Sequence, residues 1–298
     1  MVEKFVDRPY QQTFAVTDDI KQQWHDIAYM AGQRQQLDIY VPNDGQGPFP
    51  VIVDLYGGGL LFGDKSSHKL EPALALMSAG YAVVSVNYSL LQAAPFPTQI
   101  YEIKAALRFL RAHAVEYQLD VQRVALMGES SGSYLAVMTG VSATVDAFEN
   151  RAFGDYPTES EQVNAIIAMY GPYEYDQFVT QFAESGVKPK FSETGEADSF
   201  EGYLFNKQAP RDVPALVASY NPVTYFSPQM PPILAFAGTG DGVVPYQQTI
   251  DMITAAQQVL SPEKVAMTLV PDADHGPADY MTPEYTAQKA AFLKQWLN

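Results

Sequence analysis

The chain of 298 residues contains no cysteine. That absence excludes a disulfide framework, a thiolate metal site and a cysteine nucleophile together, and it leaves the redox compartment open. Basic residues are scarce as well: 18 Lys and Arg stand against 34 Asp and Glu, a formal net charge of −16. A surface that negative repels phosphate backbones and anionic membranes, which sets nucleic acid and membrane aside as partners. Solubility is its plainest consequence. No stretch approaches the ~18 apolar residues of a membrane span, and the opening MVEKFVDRPYQQTF has no apolar run of the signal-peptide kind. The chain is therefore expected to be soluble and cytoplasmic. Internal repeats and low-complexity tracts are missing too.

What is present is material for a core: 47% of residues are hydrophobic and 17% charged, and the length fits one large domain or two small ones. Residues 1–23 are polar and irregular and read as an arm. QLDIYVP (36–42) alternates apolar and polar residues like a half-buried strand, followed by the turn-forming PNDGQGPFP. VIVDLY (51–56), YAVVSVNY (81–88), RVALMG (123–128), NAIIAMYG (164–171), PILAFAG (232–238) and KVAMTLV (264–270) are short, apolar and rich in Val and Ile, the signature of strands buried on both faces. Helical patterns lie between them at 69–79, 98–117, 130–142, 245–260 and 282–297. In the second, Ile100, Ile103, Ala106, Leu107 and Leu110 recur at three- and four-residue steps. This alternation predicts an α/β domain over 1–298 with a mostly parallel sheet covered on both faces. Residues 172–226 interrupt it with many aromatics and no clean strand, which predicts an inserted cap. Those aromatics are either the cap's own core or the wall of a pocket.

RVALMGESSGSYLAVMT places three serines at a predicted strand-to-helix turn. Gly128-Glu129-Ser130-Ser131-Gly132 matches G-x-S-x-G in the strand–turn–helix setting that gives the motif its meaning. Only Ser130 has glycine two positions away on each side, and a turn this sharp has room for no side chain there. An ordinary Ser-capped helix start is the competing explanation. Upstream, VIVDLYGGGLLFGDK ends a strand in Gly57, Gly58 and Gly59, whose backbone N–H groups can turn toward a ligand. The same glycines miss the phosphate-loop spacing, since Asp64 intrudes before Lys65, and neither they nor GTGDG (238–242) has dinucleotide-fingerprint spacing.

A serine hydroxyl needs a base, and the base needs an acid to hold it. Of four histidines, His113 lies within a helix, His25 beside Trp24, and His68 opens a helix after the glycines as a minor rival. His275 sits in PDADHGPADY beyond a strand's carboxyl end, where active-site residues gather in parallel sheets. Asp241 follows the preceding strand directly, while Asp272 and Asp274 crowd the histidine's own loop as turn formers.

These segments, together with VNYSLLQAAPFPTQIYEIKAALRFLRAHAVEYQLDVQ and SYNPVTYFSPQMPP, resemble the hormone-sensitive-lipase-like branch of the α/β-hydrolases across residues 25–297. The nearest likeness is to bacterial carboxylesterases of the acetyl-xylan and feruloyl esterase kind. The order Ser130, Asp241, His275 is the order of that fold. The resemblance implies an α/β-hydrolase fold, with Ser130 as nucleophile, His275 as base and Asp241 as its orienting acid. It also implies an oxyanion hole from the amides of Gly58, Gly59 and Ser131, no metal or organic cofactor, and a small-molecule ester as substrate. A homo-oligomeric state stays open. Where the family has His before the glycines this chain has Tyr56, and the usual arginine and glutamate after Asn87-Tyr88 are replaced by Ser89-Leu90-Leu91-Gln92. Ser131 replaces a common Ala, and Ala237-Gly238 stands for the usual His-Gly. An arylformamidase-type amide hydrolase shares the same triad. A non-catalytic ligand-binding protein on this scaffold, as in the plant gibberellin receptors, would lack the histidine that His275 supplies.

Overall fold

The computed structural model describes residues 4–297. Its frame is one sheet of eight strands, β1 (Gln22–Ala28), β2 (Gln36–Val41), β3 (Phe49–Leu55), β4 (Ala82–Val86), β5 (Leu119–Glu129), β6 (Ala165–Met169), β7 (Ile233–Gly238) and β8 (Val265–Val270). They lie in the order β1-β2-β4-β3-β5-β6-β7-β8. The first two pairings, β1 with β2 and β2 with β4, are antiparallel, and all later ones are parallel. The main helices are α1 (Glu71–Leu74), α2 (Thr98–Ala112), α3 (Ser131–Ser142), α4 (Phe178–Ser185), α5 (Phe200–Leu204), α6 (Pro214–Tyr220), α7 (Gln247–Ala256) and α8 (Pro283–Trp296). Two apolar layers, one on each side of the sheet, hold alternate residues of the same strands: Val51, Val53, Leu126 and Ile166 on one, Ile52, Ala125, Met127 and Ile167 on the other. This is the pattern that period-two side-chain alternation produces when both faces are covered. Among the described residues, no helix is long and apolar enough to cross a membrane.

Several elements differ from the sequence reading, each for a physical reason. Strand β1 lies where no clean alternation is visible. It is an edge strand, mostly exposed or half-buried, whose register with β2 slips between Trp24 and Ile27, with Asp26 at φ 55°. Strand β2 is not half-buried. It lies between β1 and β4, and its polar Asp38 is buried with its carboxylate 2.8 Å from Lys65 Nζ. Strand β8, expected to be covered on both faces, is an edge strand with an exposed middle. The helix expected at 69–79 is a 3₁₀ turn (His68–Leu70), the single α turn α1 and a second 3₁₀ stretch (Ala75–Ala79), closed by Gly80 at φ 90°. Helix α2 stops at Ala112, short of the predicted 117.

Residues 172–226, between β6 and β7, hold α4, α5, α6 and two 3₁₀ turns and no strand. Their aromatics pack on each other: Tyr175 stacks on Phe178 with ring centroids 5.9 Å apart and meets Phe205 edge-on at 5.7 Å. Of the two readings left open by the sequence, neither holds alone: the aromatics are continuous with the main core, Tyr175 meeting Tyr134 of α3 at 5.4 Å, and Phe182 and Phe191 also wall a cavity of about 490 Å³. The predicted arm is ordered over its described part. Phe5 is buried between Phe62, Phe191 and Phe200, and its N–H donates to Glu193 Oε1 at 2.7 Å. Farther on, His68 N–H donates to Thr13 O and Ala15 N–H to Ser66 O, tying the arm to the segment after the glycines. Residues 1–3 of that arm lie outside the described residues.

Candidate active site

Strands β5, β7 and β8 run parallel, so their carboxyl ends open on one edge of the sheet. Ser130 follows β5, Asp241 follows β7 and His275 follows β8. The structure brings the three together. His275 Nε2 lies 2.9 Å from Ser130 Oγ, and His275 Nδ1 lies 2.7 Å from Asp241 Oδ2. A carboxylate only accepts hydrogen bonds, so Nδ1 carries the ring proton and Nε2 faces the serine hydroxyl as an acceptor. Asp241 is buried, and its other oxygen accepts the N–H groups of Val243 and Val244 at 2.8 and 2.9 Å. Those bonds fix the carboxylate in orientation. The edge of the imidazole is set by Tyr170, whose ring meets it at 5.0 Å and 70°.

The geometry of the turn explains its glycines. Ser130 has φ 53° and ψ −127°, a strained backbone for a residue with a side chain. A Cβ on Gly128 would come within 2.3 Å of Gly132 O, and one on Gly132 within 1.9 Å of Leu55 O. Neither neighbour can yield, because both are backbone of paired or helical elements. The strained residue is held by its own N–H bond to Met169 O at 2.9 Å and by Tyr134 N–H donating to its carbonyl at 3.2 Å. The other two serines have different tasks. Ser131 Oγ accepts the N–H of Leu60 at 3.3 Å, and Ser133 Oγ pairs with Tyr173 OH at 2.9 Å in the interior.

Strand β3 is the sheet neighbour of β5, with Leu55 opposite Gly128, so the three glycines turn directly beside Ser130. Gly58 and Gly59 both have positive φ, 142° and 63°. Gly58 lines the same cavity as Ser130, whereas Gly59 sits behind it against Phe5 and Phe200. Among the described residues, no acceptor engages the N–H of Gly58, Gly59 or Ser131. The cavity encloses about 500 Å³ and is walled by Ser130, His275, Gly58, Glu129 and residues of the arm.

The rivals are placed elsewhere or otherwise engaged. His25 lies on β1 near Asp38, and His113 bonds Glu116 and Tyr156. His68 does reach the cavity wall, but among the described residues its buried Nδ1 has no hydrogen-bond partner and no carboxylate orients it. Asp272 sits in a turn at φ 56°, and Asp274 accepts the backbone N–H of His275 at 2.7 Å. Among the described residues, no cluster of three or more His, Asp or Glu side chains is arranged to hold a metal ion.

Sequence reasoning missed Glu129. Its carboxylate is buried, accepts the Gly57 N–H at 2.5 Å and meets Lys69 Nζ at 3.0 Å. Burial alone would raise its pKa, but the Lys69 ammonium, His275 and the two hydrogen bonds together carry it below the usual range. The motif contained this residue. What was missing was the adjacency of β3 and β5 that aims it at the glycine turn. The substituted position before the glycines is also accounted for. Tyr56 stacks on Tyr88 with centroids 4.5 Å apart and accepts a hydrogen bond from Arg34 at 2.7 Å. Arg34 also donates to Tyr88 O at 2.9 Å and Gly63 O at 2.9 Å, so a guanidinium from before β2 braces the turn.

A mostly parallel sheet with this serine turn, histidine loop and intervening acid defines the α/β-hydrolase class. Within it, the BD-FAE family model matches residues 37–255, and the chain belongs to that family. Its relatives include the probable carboxylic ester hydrolase LipM of Mycobacterium tuberculosis, 27% identical over 280 residues that span 91% of this chain and 60% of LipM. Among solved structures, a truncated carbohydrate esterase from gut microbiota superposes with a TM-score of 0.82 at 24% identity, covering 95% of this chain and 99% of that one. A bifunctional GH43-CE protein of Bacteroides eggerthii gives 0.79 at 28% identity, over 92% of this chain and 38% of its own. The chain spans between about half and two thirds of the length of the curated relatives it matches: 48%, 60% and 64% for the first three.

Proposed function

We propose that this chain is a serine carboxylesterase that hydrolyses small, short-chain acyl esters, acetylated carbohydrates among them, through an acyl-enzyme. The observation that carries the reading is the continuous chain Ser130–His275–Asp241, at 2.9 and 2.7 Å, opening on a cavity of about 500 Å³. Ser130 Oγ attacks the ester carbonyl as its proton passes to His275 Nε2, and the imidazolium so formed is stabilised by Asp241. The carbonyl π electrons move onto oxygen, and the amides of Gly58, Gly59 and Ser131 are the donors available to that oxyanion. Each such donor is worth ~3 kcal/mol in the transition state. As the C–O bond breaks, His275 returns the proton to the departing alcohol. Water then adds to the acyl carbon, giving its proton to His275, and Ser130 leaves with that proton as the carboxylic acid is released. No step calls on a metal or organic cofactor. Residues 172–226 serve as a cap over the edge of the sheet that carries the site.

The relatives named as esterases, and the neighbours named as carbohydrate esterases, support this reading. The presence of His275 within hydrogen-bonding reach of Ser130 weighs against a pure binding role on the same scaffold. The test is covalent labelling by a fluorophosphonate together with turnover of 4-nitrophenyl acetate. Ser130→Ala is expected to abolish the label and to lower kcat by about 10⁴ or more. Near-native turnover in that variant would refute the assignment. A panel of acyl chain lengths, acetylated sugars, methyl ferulate and an N-aryl formamide then separates ester from amide hydrolysis.

A further inference from the structure

The wall of the cavity reverses the charge of the molecule. The chain carries −16 overall, yet Arg8, Lys69 and Lys190 all line the cavity above Ser130, with His68 beside them. Among the described residues, Glu129 is the one carboxylate in that wall. Glu129 is already met by Lys69 at 3.0 Å, so its charge is spent within the wall. The cations come from three separate parts of the chain: the arm, the turn after the glycines, and residues 172–226. Convergence from three directions is not the by-product of one basic helix.

Arg8 is held at its guanidinium and Lys190 at its backbone. The Arg8 guanidinium carbon stands 4.1 Å from the centroid of the Phe5 ring and 5.7 Å from that of Phe62, and Phe5 is itself buried. The backbone of Lys190 is tied to the loop that carries Asp241, its N–H donating to Gly242 O at 2.8 Å. Its side chain pairs with no carboxylate among the described residues. His68 adds a ring nitrogen buried without a partner on the same wall. A local positive cleft in a strongly negative protein focuses the field on one sign of ligand, against the repulsion of the rest of the surface.

We propose that this cleft selects esters that carry a carboxylate, with Lys190 and Arg8 as the residues that set the preference. An O-acylated acidic sugar is one such ester. The inference rests on the esterase reading above and adds the charge of its substrate. Hydrolysis would then release a hydroxy acid when the charge is on the alcohol, or a dicarboxylic acid when it is on the acyl group.

The test compares matched chromogenic esters on the full chain, with enzymic rates normalised to each ester's rate of reaction with hydroxide. One arm sets 3-carboxy-4-nitrophenyl acetate against 4-nitrophenyl acetate and places the charge on the alcohol. The other sets 4-nitrophenyl hydrogen adipate against 4-nitrophenyl hexanoate and places it on the acyl group. In at least one arm kcat/KM is expected to favour the anionic ester by about tenfold in about 20 mM salt, shrinking severalfold in about 0.5 M salt. The double variant Arg8→Gln, Lys190→Gln is expected to lower the anionic-to-neutral ratio in low salt to nearly the high-salt value. A ratio at or below one in both arms overturns the inference, and so does a preference indifferent to both salt and the double variant. Failure to hydrolyse any of the four esters, with the fold intact by circular dichroism, refutes the esterase reading itself. Hydrolysis of the neutral esters alone leaves that reading standing and removes only the charge preference.

Discussion

Replacing Glu129 by glutamine tests whether the glycine turn is positioned by the residue next to Ser130, the proposed nucleophile. The native carboxylate accepts the Gly57 N–H at 2.5 Å and balances Lys69 at 3.0 Å from a buried position. A hydrogen bond to a charged acceptor is worth about 1.5–3 kcal/mol, and the neutral amide that replaces it retains about half. Lys69 loses its counter-ion, but at 18% side-chain exposure it is partly hydrated, so the full ~3–5 kcal/mol cost of breaking a buried pair is not incurred. The two effects together predict a loss of about 2–3 kcal/mol. Because Gly57 precedes Gly58 directly, a relaxed turn misplaces a proposed oxyanion donor. The loss of one donor entirely costs about 10²–10³ in kcat, so a weakened anchor predicts a drop of about tenfold with KM within about twofold. Urea unfolding and 4-nitrophenyl acetate kinetics measure both quantities. The pH dependence has a definite sign. The folded pKa of Glu129 lies below its ordinary 4.5, so its contribution to stability is complete above that value and lost as pH falls through the lower folded pKa. The difference in stability between wild type and Glu129→Gln is therefore expected to shrink on acidification below about 4.5. A variant within about 0.5 kcal/mol of wild type at neutral pH, and within about twofold in kcat, would refute the positioning role.

Two further substitutions probe the turn and the triad. Asp241→Asn leaves the shape of the site but lets the amide stabilise the wrong imidazole tautomer, and kcat is expected to fall by about 10⁴ while fluorophosphonate labelling slows in parallel. Gly132→Ala places a methyl group 1.9 Å from Leu55 O and 2.6 Å from Tyr56 O. Both are backbone atoms, so a loss of about 3 kcal/mol or more is expected by thermal or urea unfolding, and stability within about 1 kcal/mol of wild type would contradict the packing account.

The α/β architecture was legible because buried parallel strands have a composition of their own. Runs such as VIVDLY and AIIAMY cannot be placed on a surface, and helical segments separate them. Edge strands do not follow that rule: β1, with its slipped register and exposed face, lacks the signature and was invisible, whereas β8 carries an apolar run and was therefore expected to be buried. Ser130, Asp241 and His275 could be picked out as neighbours because the carboxyl ends of parallel strands share one edge, so chain order together with loop position narrows the candidates.

By itself the sequence determined which residues must be small, which must be buried and which three polar groups follow strand ends. Local sterics and the water-aversion of Val, Ile and Leu act through nearest neighbours along the chain. Only the tertiary structure decided what meets across the sheet. The adjacency of β3 and β5 turns Glu129 onto Gly57, Arg34 reaches Tyr56 and Tyr88 from the turn before β2, and the arm brings Arg8 to the cavity that Lys190 also lines. The hydrogen bonds among these contacts join residues 22 to 72 positions apart. Their energies depend on distances of a few ångströms between side chains that no spacing in the sequence encodes.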